Sequence, residues 1–243
     1  MIHRFFNGFT VIHIFMLEEG LLKLGIDNAD KVIPLLSKYI EEIELFNPAY
    51  GLVKVKDRRE LVVKHILDSL APIHIIRNLL EKTARKTRAV ADIGSGAGLP
   101  GIPLAICLPD TEFTLVERMG RRAGFLRNVV AVLGLSNVRV EEADMEELAL
   151  KSSPEGCFDL IVFRALKPLD PVILKELSRL IASGGIIAAY KGRREAIEEE
   201  MERLFKAEGK GTAPSLEVFP WELLPLDVPF LDEERHLLLI RLV

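Results

Sequence analysis

The chain reads as a doubly wound α/β protein, a mostly parallel seven-stranded sheet with helices on both faces, preceded by a helical N-terminal extension. Three observations predict this. From Ala89 onward, short apolar runs alternate with helix-length segments, the pattern of βαβ units. A glycine-rich turn closes the first of those runs. Before Ala89, apolar residues recur at three- and four-residue spacing, the period of an amphipathic helix.

Met1–Phe15 has a basic residue and a short apolar stretch, but Glu18, Glu19 and Gly20 follow instead of a small-x-small cleavage site. It reads as a non-native or disordered extension (1–15), with Met16 as the initiator. From Leu17 to about Phe46, the spacing of Leu21, Leu24, Val32, Leu36, Tyr39, Ile40 and Ile43 predicts helices. Asp27, Asn28 or Asp30 can cap the second of them. Another helix is expected over Arg59–Leu80, kinked or broken at Pro72, whose ring has no N–H to donate. Glu81–Arg88 is a polar, basic connector, so residues 16–86 form the helical region and 87–243 the α/β domain.

Within that domain strands are expected at Ala89–Ile93, Glu112–Val116, Asn137–Val140, Asp159–Phe163 and Gly185–Tyr190. Helices fall at about Gly101–Leu108, Arg121–Leu133, Asp170–Ile181 and Arg193–Lys206, punctuated by Gly120, Gly134, Gly184 and Gly192. Leu216–Trp221 and Arg235–Leu242, joined by a Pro- and acid-rich loop, predict two late strands running antiparallel.

Composition narrows the class. At 243 residues with 49% hydrophobic and 28% charged residues, the chain is neither collagen-like, low-complexity nor disordered. Two cysteines, Cys107 and Cys157, make no disulfide framework and no zinc cluster, which fits a reduced, cytoplasmic protein without a structural metal. No apolar run reaches the ~20 residues of a membrane span. The net charge of −4 hides an asymmetry: residues 51–127 hold 14 Lys and Arg against 8 Asp and Glu. A basic segment on an acidic protein suits a polyanion, and equally a solvated face.

The sharpest feature is Asp92-Ile93-Gly94-Ser95-Gly96-Ala97-Gly98-Leu99-Pro100-Gly101. Glycines there let the backbone turn tightly and let a ligand approach where Cβ atoms would obstruct. Glu117 ends the next strand, where a carboxylate can accept both hydroxyl protons of a ribose. Gly96 to Gly101 also satisfies the dinucleotide pattern G-x-G-x-x-G, so a nicotinamide or flavin ligand is the alternative. Asp92 favours a different ligand, because a carboxylate at the strand end repels a pyrophosphate but pairs with the ammonium of an amino acid tail. Acid-x-Gly-x-Gly-x-Gly is how S-adenosylmethionine methyltransferases read. Downstream, Asp144 or Glu146 could contact base or ribose and Met145 could pack on the ring, although an acidic helix start explains them as well. Arg164, after the fourth strand, and Lys191, Arg193 and Arg194, after the fifth, lie at carboxyl ends of parallel strands, where open α/β sheets bind ligands.

The glycine loop through Ile102-Pro103 resembles that of the RsmG family, also called glucose-inhibited division protein B. The resemblance extends through Lys64-His65-Ile66-Leu67-Asp68-Ser69, Gly120-Arg121-Arg122, Phe125-Leu126-Arg127, Phe163-Arg164-Ala165, Lys191-Gly192 and Glu234-Arg235-His236-Leu237. Asn47-Pro48-Ala49-Tyr50-Gly51-Leu52 is similar to that family's Asn-x-x-Tyr-x-Leu segment. The resemblance implies a Rossmann-like class I methyltransferase of bacteria, acting on N7 of one guanosine in 16S ribosomal RNA, free or in the small-subunit particle; a monomer is expected. It implies donor contacts at Gly94, Leu99, Met145, Glu146 and Arg164, beside the Asp92, Gly96, Gly98 and Glu117 expected from the loop itself, with S-adenosylhomocysteine as product. Departures are small: Glu117 where Asp also occurs, Gly51 for a common Asn, and the fifteen extra N-terminal residues.

Guanine N7 has a free lone pair and no proton, so its methylation needs orientation and no general base. Arg164 and Lys191 are then candidates for positioning the substrate, with no catalytic residue certain. Asn47-Pro48-Ala49-Tyr50 imitates the Asn-Pro-Pro-Tyr of amino-methylating enzymes but precedes the first strand, and reads as structural. His65, on an apolar helix face, reads as a packed histidine. Phosphates are expected at Lys64, Arg121, Arg122, Arg127, Lys191 and Arg193, with Arg121 and Arg122 outside the donor pocket. The rival readings are a non-catalytic RNA-binding factor with a vestigial donor fold, and a methyltransferase of small molecules or proteins.

Overall fold

The computed structural model describes residues 11–83, 85, 87–151, 156–208 and 220–241. The sheet order is β3-β2-β1-β4-β5-β7-β6. Its strands are β1 (Ala89–Ile93), β2 (Glu112–Val116), β3 (Val138–Glu141), β4 (Phe158–Arg164), β5 (Ile181–Lys191), β6 (Trp221–Leu226) and β7 (Arg235–Arg241). β1 pairs in parallel with both β2 and β4, β3 and β5 extend the parallel order outward, and β7 and β6 run antiparallel. The doubly wound reading holds. The order reverses at β1, and the crevice between the carboxyl ends of β1 and β4 is the topological switch point where such sheets take ligands.

Alternation along the strands builds two cores. Val90, Leu160, Val162 and Ala188 face one cluster, while Ala91, Ile161, Phe163 and Ala189 face the other, as the two-residue period of a strand requires. The second core is closed by α8 (Met145–Lys151), α9 (Pro171–Leu180) and α10 (Arg194–Glu208). The first is closed by α6 (Gly101–Cys107), α7 (Gly120–Leu133) and the whole N-terminal helical layer. That layer consists of α1 (Val11–Lys23), α2 (Ala29–Tyr50), α3 (Arg58–Leu61), a π-helical turn over Val62–Leu67, α4 (Asp68–Leu70) and α5 (Ile73–Glu81). Leu17, Leu36, Ile43, Ile66 and Ile76 share a single apolar cluster with the strands, so the helical layer is part of the α/β core.

Several boundaries differ from the sequence reading. α1 starts at Val11 and runs through Met16, six residues before the expected Leu17; residues 1–10 of the expected extension lie outside the described residues. The helix expected over Arg59–Leu80 is split: Pro72 precedes α5, and its first half carries a π turn, which has no signature in apolar spacing. β5 starts at Ile181, four residues before Gly185, and its register against β4 shifts between Phe158 and Leu160. The irregular start and Gly184-Gly185 disguise it as a turn. The strand expected at Leu216–Trp221 is described only from Trp221, onward to Leu226; 216–219 lie outside the described residues. Among the described residues, no helix is long and apolar enough to cross a membrane.

Candidate active site

Two cavities open at the carboxyl ends of the parallel strands and share Arg164, Ala165 and Leu166. The first, about 530 Å³, is lined by Gly94, Glu117, Met119, Arg122, Ala143 to Glu146, and residues from the start of α9. The second, about 550 Å³, is lined by Lys54, Glu60, Lys64, His65, Asp68, Tyr190, Lys191 and Arg235 among others. Between them Ala165 has φ 55°, a left-handed conformation that L-residues adopt rarely and that accumulates where function holds it.

Ile93 and Gly94, at the start of the glycine loop, line the first cavity, and Gly96 stands behind them. Gly94 and Ser95 N–H both donate to Val116 O (2.9 and 3.0 Å), tying the loop to β2. The Tyr39 hydroxyl, from α2, donates to Ala97 O at 2.7 Å. The glycines divide into two kinds. Gly94 and Gly96 have φ of 70° and 58°, and a Cβ on either would approach no atom closer than 3.6 Å, so they border open space. A Cβ on Gly98 would lie 2.6 Å from Ile102, and one on Gly101 2.4 Å from Leu115 and 2.7 Å from Asp92. Gly98 and Leu99, expected in the donor site, are buried and line neither cavity; they pack the loop against α6.

Asp92 takes a different place from the one expected at the ligand's edge. Its carboxylate is fully buried beneath the loop, where Oδ2 accepts the Gly101 N–H at 2.9 Å. Oδ1 is buried and has no hydrogen-bond partner. Burial pushes this carboxyl up to about 7, against the pull of the Gly101 N–H and the Ser95 hydroxyl. Glu117 lines the cavity as expected, and its two oxygens accept from Gly96 N–H (2.9 Å) and Met119 N–H (2.8 Å). Each oxygen keeps a further lone pair for a hydroxyl donor. Met145 and Glu146 also line the cavity. Asp144 caps α8 by accepting the Glu147 N–H at 2.8 Å, so its acidic-helix-start role is realised.

Arg164 is clamped by the π turn. Its Nη1 donates to Lys64 O and Asp68 Oδ2, each at 3.1 Å, and Nη2 to His65 Nδ1 at 2.8 Å. The far side of Asp68 faces Arg235 of β7, Oδ1 to Nε 3.3 Å. One buried carboxylate thereby joins the helical layer, β4 and β7. Burial and the Arg164 charge press His65 down to about 4, so near neutral pH it is uncharged and free to accept from the guanidinium. π turns inside helices recur at functional sites because they redirect side chains and carbonyls.

The expected phosphate contacts separate. Arg122 is half-buried on the wall of the first cavity, not outside it, with Nη2 3.3 Å from Gly51 O and Nε unpartnered. Lys191 is spent on Glu200, its ammonium 2.7 and 2.9 Å from the two carboxylate oxygens. Arg127 pairs with Glu142 at 2.8 Å, and Lys64 with Glu60 and Glu233 at 3.1 and 2.7 Å. Arg121 is exposed, 5.7 Å from the Tyr50 ring centroid, and Arg193 is exposed beside α10. Asp68 and Arg235 stand in segments quoted for the resemblance, but no role was expected of them. A carboxylate on the inner apolar face of a helix was the signal, since buried charges require partners.

Comparison with known proteins adds the following. A family model described as rRNA small subunit methyltransferase G matches residues 32–212. A relative from Treponema denticola named ribosomal RNA small subunit methyltransferase G is 38% identical over 251 residues, covering 93% of each chain. One of the same name from Treponema pallidum is 41% identical over 230 residues, covering 93% of this chain and 92% of its own. Among solved structures, a Klebsiella pneumoniae protein classed with the O-methyltransferases superposes with TM-score 0.55 at 15% identity. That match covers 86% of this chain and 90% of the other, a likeness of fold.

Proposed function

The chain belongs to the rRNA small subunit methyltransferase G family, and on that premise we propose that it transfers a methyl group from S-adenosylmethionine to N7 of a guanosine in 16S ribosomal RNA. The observation that carries this reading is the pair of cavities meeting at Arg164, Ala165 and Leu166. One is built for a donor, and the other opens beside it for an acceptor. The Treponema relatives point to a bacterial enzyme, and an enzyme of ribosomal RNA works in the cytoplasm.

The residues present fit the donor. Gly94 and Gly96 leave open space above the loop, and Glu117 offers paired lone pairs to a ribose diol. Met145 and Glu146 would border the adenine. When bound, the donor supplies an electrophilic methyl on a sulfonium. The N7 lone pair forms the new C–N bond as the C–S bond breaks, the positive charge passes to the purine, and no proton is transferred. The protein's work is therefore orientation, which can contribute ~7–11 kcal/mol of barrier lowering. Arg164, held by Lys64 O, His65 Nδ1 and Asp68 Oδ2, stands at the boundary between donor and acceptor.

Calorimetry with S-adenosylmethionine and with NAD, followed by transfer of labelled methyl to unmodified small ribosomal subunits, tests the reading. Donor binding and label in guanosine N7 are expected. Tight NAD binding would overturn the donor assignment; donor binding without transfer to RNA would favour the non-catalytic factor, and label on protein or small molecules the other rival.

A further inference from the structure

We propose that the second cavity receives one unstacked guanine of the RNA and that Glu60 is the residue that distinguishes it from adenine. This rests on the reading above, because it takes guanine N7 as the acceptor. With N7 and the adjoining O6 presented to the donor, guanine's other edge, N1–H and the exocyclic amine on C2, remains for the cavity wall to read. In guanine that edge consists of donors. In adenine N1 is an acceptor and C2 bears no amine, so a carboxylate matches guanine alone.

The cavity is lined by two carboxylates, Glu60 and Asp68. Asp68 is closed to a ligand, with Arg164 on one oxygen and Arg235 on the other. Glu60 is open. Its Oε2 accepts the Lys56 N–H at 2.7 Å and its Oε1 meets the Lys64 ammonium at 3.1 Å, and each oxygen has a second lone pair. Lys64 has another partner in Glu233, at 2.7 Å, so a base can engage Glu60 without stranding that ammonium. The Lys56 N–H and Lys64 hold the Glu60 carboxyl below its ordinary range, so it is ionised at neutral pH. Methylation at N7 leaves the purine positive, and a fixed anion against N1–H stabilises that charge as it develops. Glu60 thereby contributes to rate as well as to choice of base.

Glu60 also has a structural duty. Asp57 Oδ1 accepts the Glu60 N–H at 2.8 Å, and Glu60 Oε2 accepts the N–H of Lys56, one residue before the Asp57 N-cap, a variant of the capping box in which the carboxylate reaches past the N-cap's own N–H. Glutamine serves that box as well as glutamate. Glu60→Gln therefore keeps the cap, removes the charge and replaces one acceptor with a donor.

The experiment measures methyl transfer to unmodified small subunits by the full-length protein and by Glu60→Gln, with donor affinity and Tm as controls. Inhibition by guanosine, inosine and adenosine 5′-monophosphates is measured alongside; inosine lacks only the C2 amine. The native protein should prefer guanosine over adenosine monophosphate by about tenfold or more, with inosine between, as one well-placed base-edge contact gives. Glu60→Gln should lose that preference and about tenfold or more in kcat, with donor affinity and Tm unchanged. Native kcat in the variant would overturn the proposal while leaving the methyltransferase reading intact, and so would a loss explained by lowered Tm or weakened donor binding. If the native protein places no label on guanosine N7, both fall together.

Discussion

Burial acts strongly on Asp92. Its folded carboxyl, near 7, lies above the roughly 3.9 of an unfolded aspartate, so between those values the folded chain holds a proton that the unfolded chain has released. Stability is therefore full below about pH 4, falls as pH rises through the window, and levels off above about pH 7. Asp92→Asn, which has no proton to release, should flatten the fall in thermal stability between about pH 5 and about pH 7; an equal fall in both proteins would mean that another group carries it. Asp68 makes a second case. Asp68→Asn releases Arg164 and Arg235, which are 17% and 21% exposed, so the cost should be below the 3–5 kcal/mol of a fully buried pair, about 2 kcal/mol. Thermal unfolding should move down by ~4–8 °C and kcat should fall further than donor affinity; an unchanged Tm would mean the bridge contributes nothing. Glu117 was legible from sequence because the end of β2 fixes where it stands; Asp92 was not, because its position at the end of β1 does not say whether its carboxylate meets a ligand or the buried Gly101 N–H. Asp68 was not, because apolar spacing reports which face is buried and not which buried carboxylate meets which arginine.

At the scale of elements, the glycine loop separates ligand binding from packing. Gly96→Ala puts its methyl into open space at φ 58°, which costs roughly 1–2 kcal/mol of backbone strain and obstructs the donor. Gly98→Ala, at φ 94°, meets Ile102 at 2.6 Å and Leu126 at 3.0 Å, adding overpacking to strain. Donor affinity relative to Tm should thus fall more in Gly96→Ala, and Tm should fall more in Gly98→Ala; the reverse ranking would place the ligand elsewhere. β1 and β2 coincide with their sequence-read limits, Ala89–Ile93 and Glu112–Val116, since buried parallel strands are continuous apolar runs between turn residues. The π turn over Val62–Leu67 was hidden, because one extra residue in a helical turn leaves the apolar stripe intact while redirecting the Lys64 carbonyl and His65 toward Arg164.

For the whole molecule, the charge asymmetry read from residues 51–127 resolves into cations with different tasks. Arg122 borders the donor cavity, Arg58 and Arg127 are paired with glutamates, and Lys54, Lys56 and Arg121 are exposed. Spacing along the chain could not sort them, since the partners come from distant segments. Lys54→Ala with Arg121→Ala should leave donor affinity unchanged and flatten the log–log salt dependence of RNA binding by ~1–2 units, one for each lost phosphate contact. Arg127→Ala, already neutralised by Glu142, should change it less, and an unchanged slope in the double variant would put the RNA on another face. The central claim, that Arg164 presides over methyl transfer to guanosine N7 in 16S RNA, has a direct measurement. It is nucleoside mass spectrometry of 16S RNA from a strain lacking this gene and from the same strain given back either the native chain or Arg164→Ala. 7-Methylguanosine should be lost on deletion, restored by the native chain and not restored by the variant; a mark that survives deletion, or returns equally with the variant, would contradict this role of the chain and of Arg164.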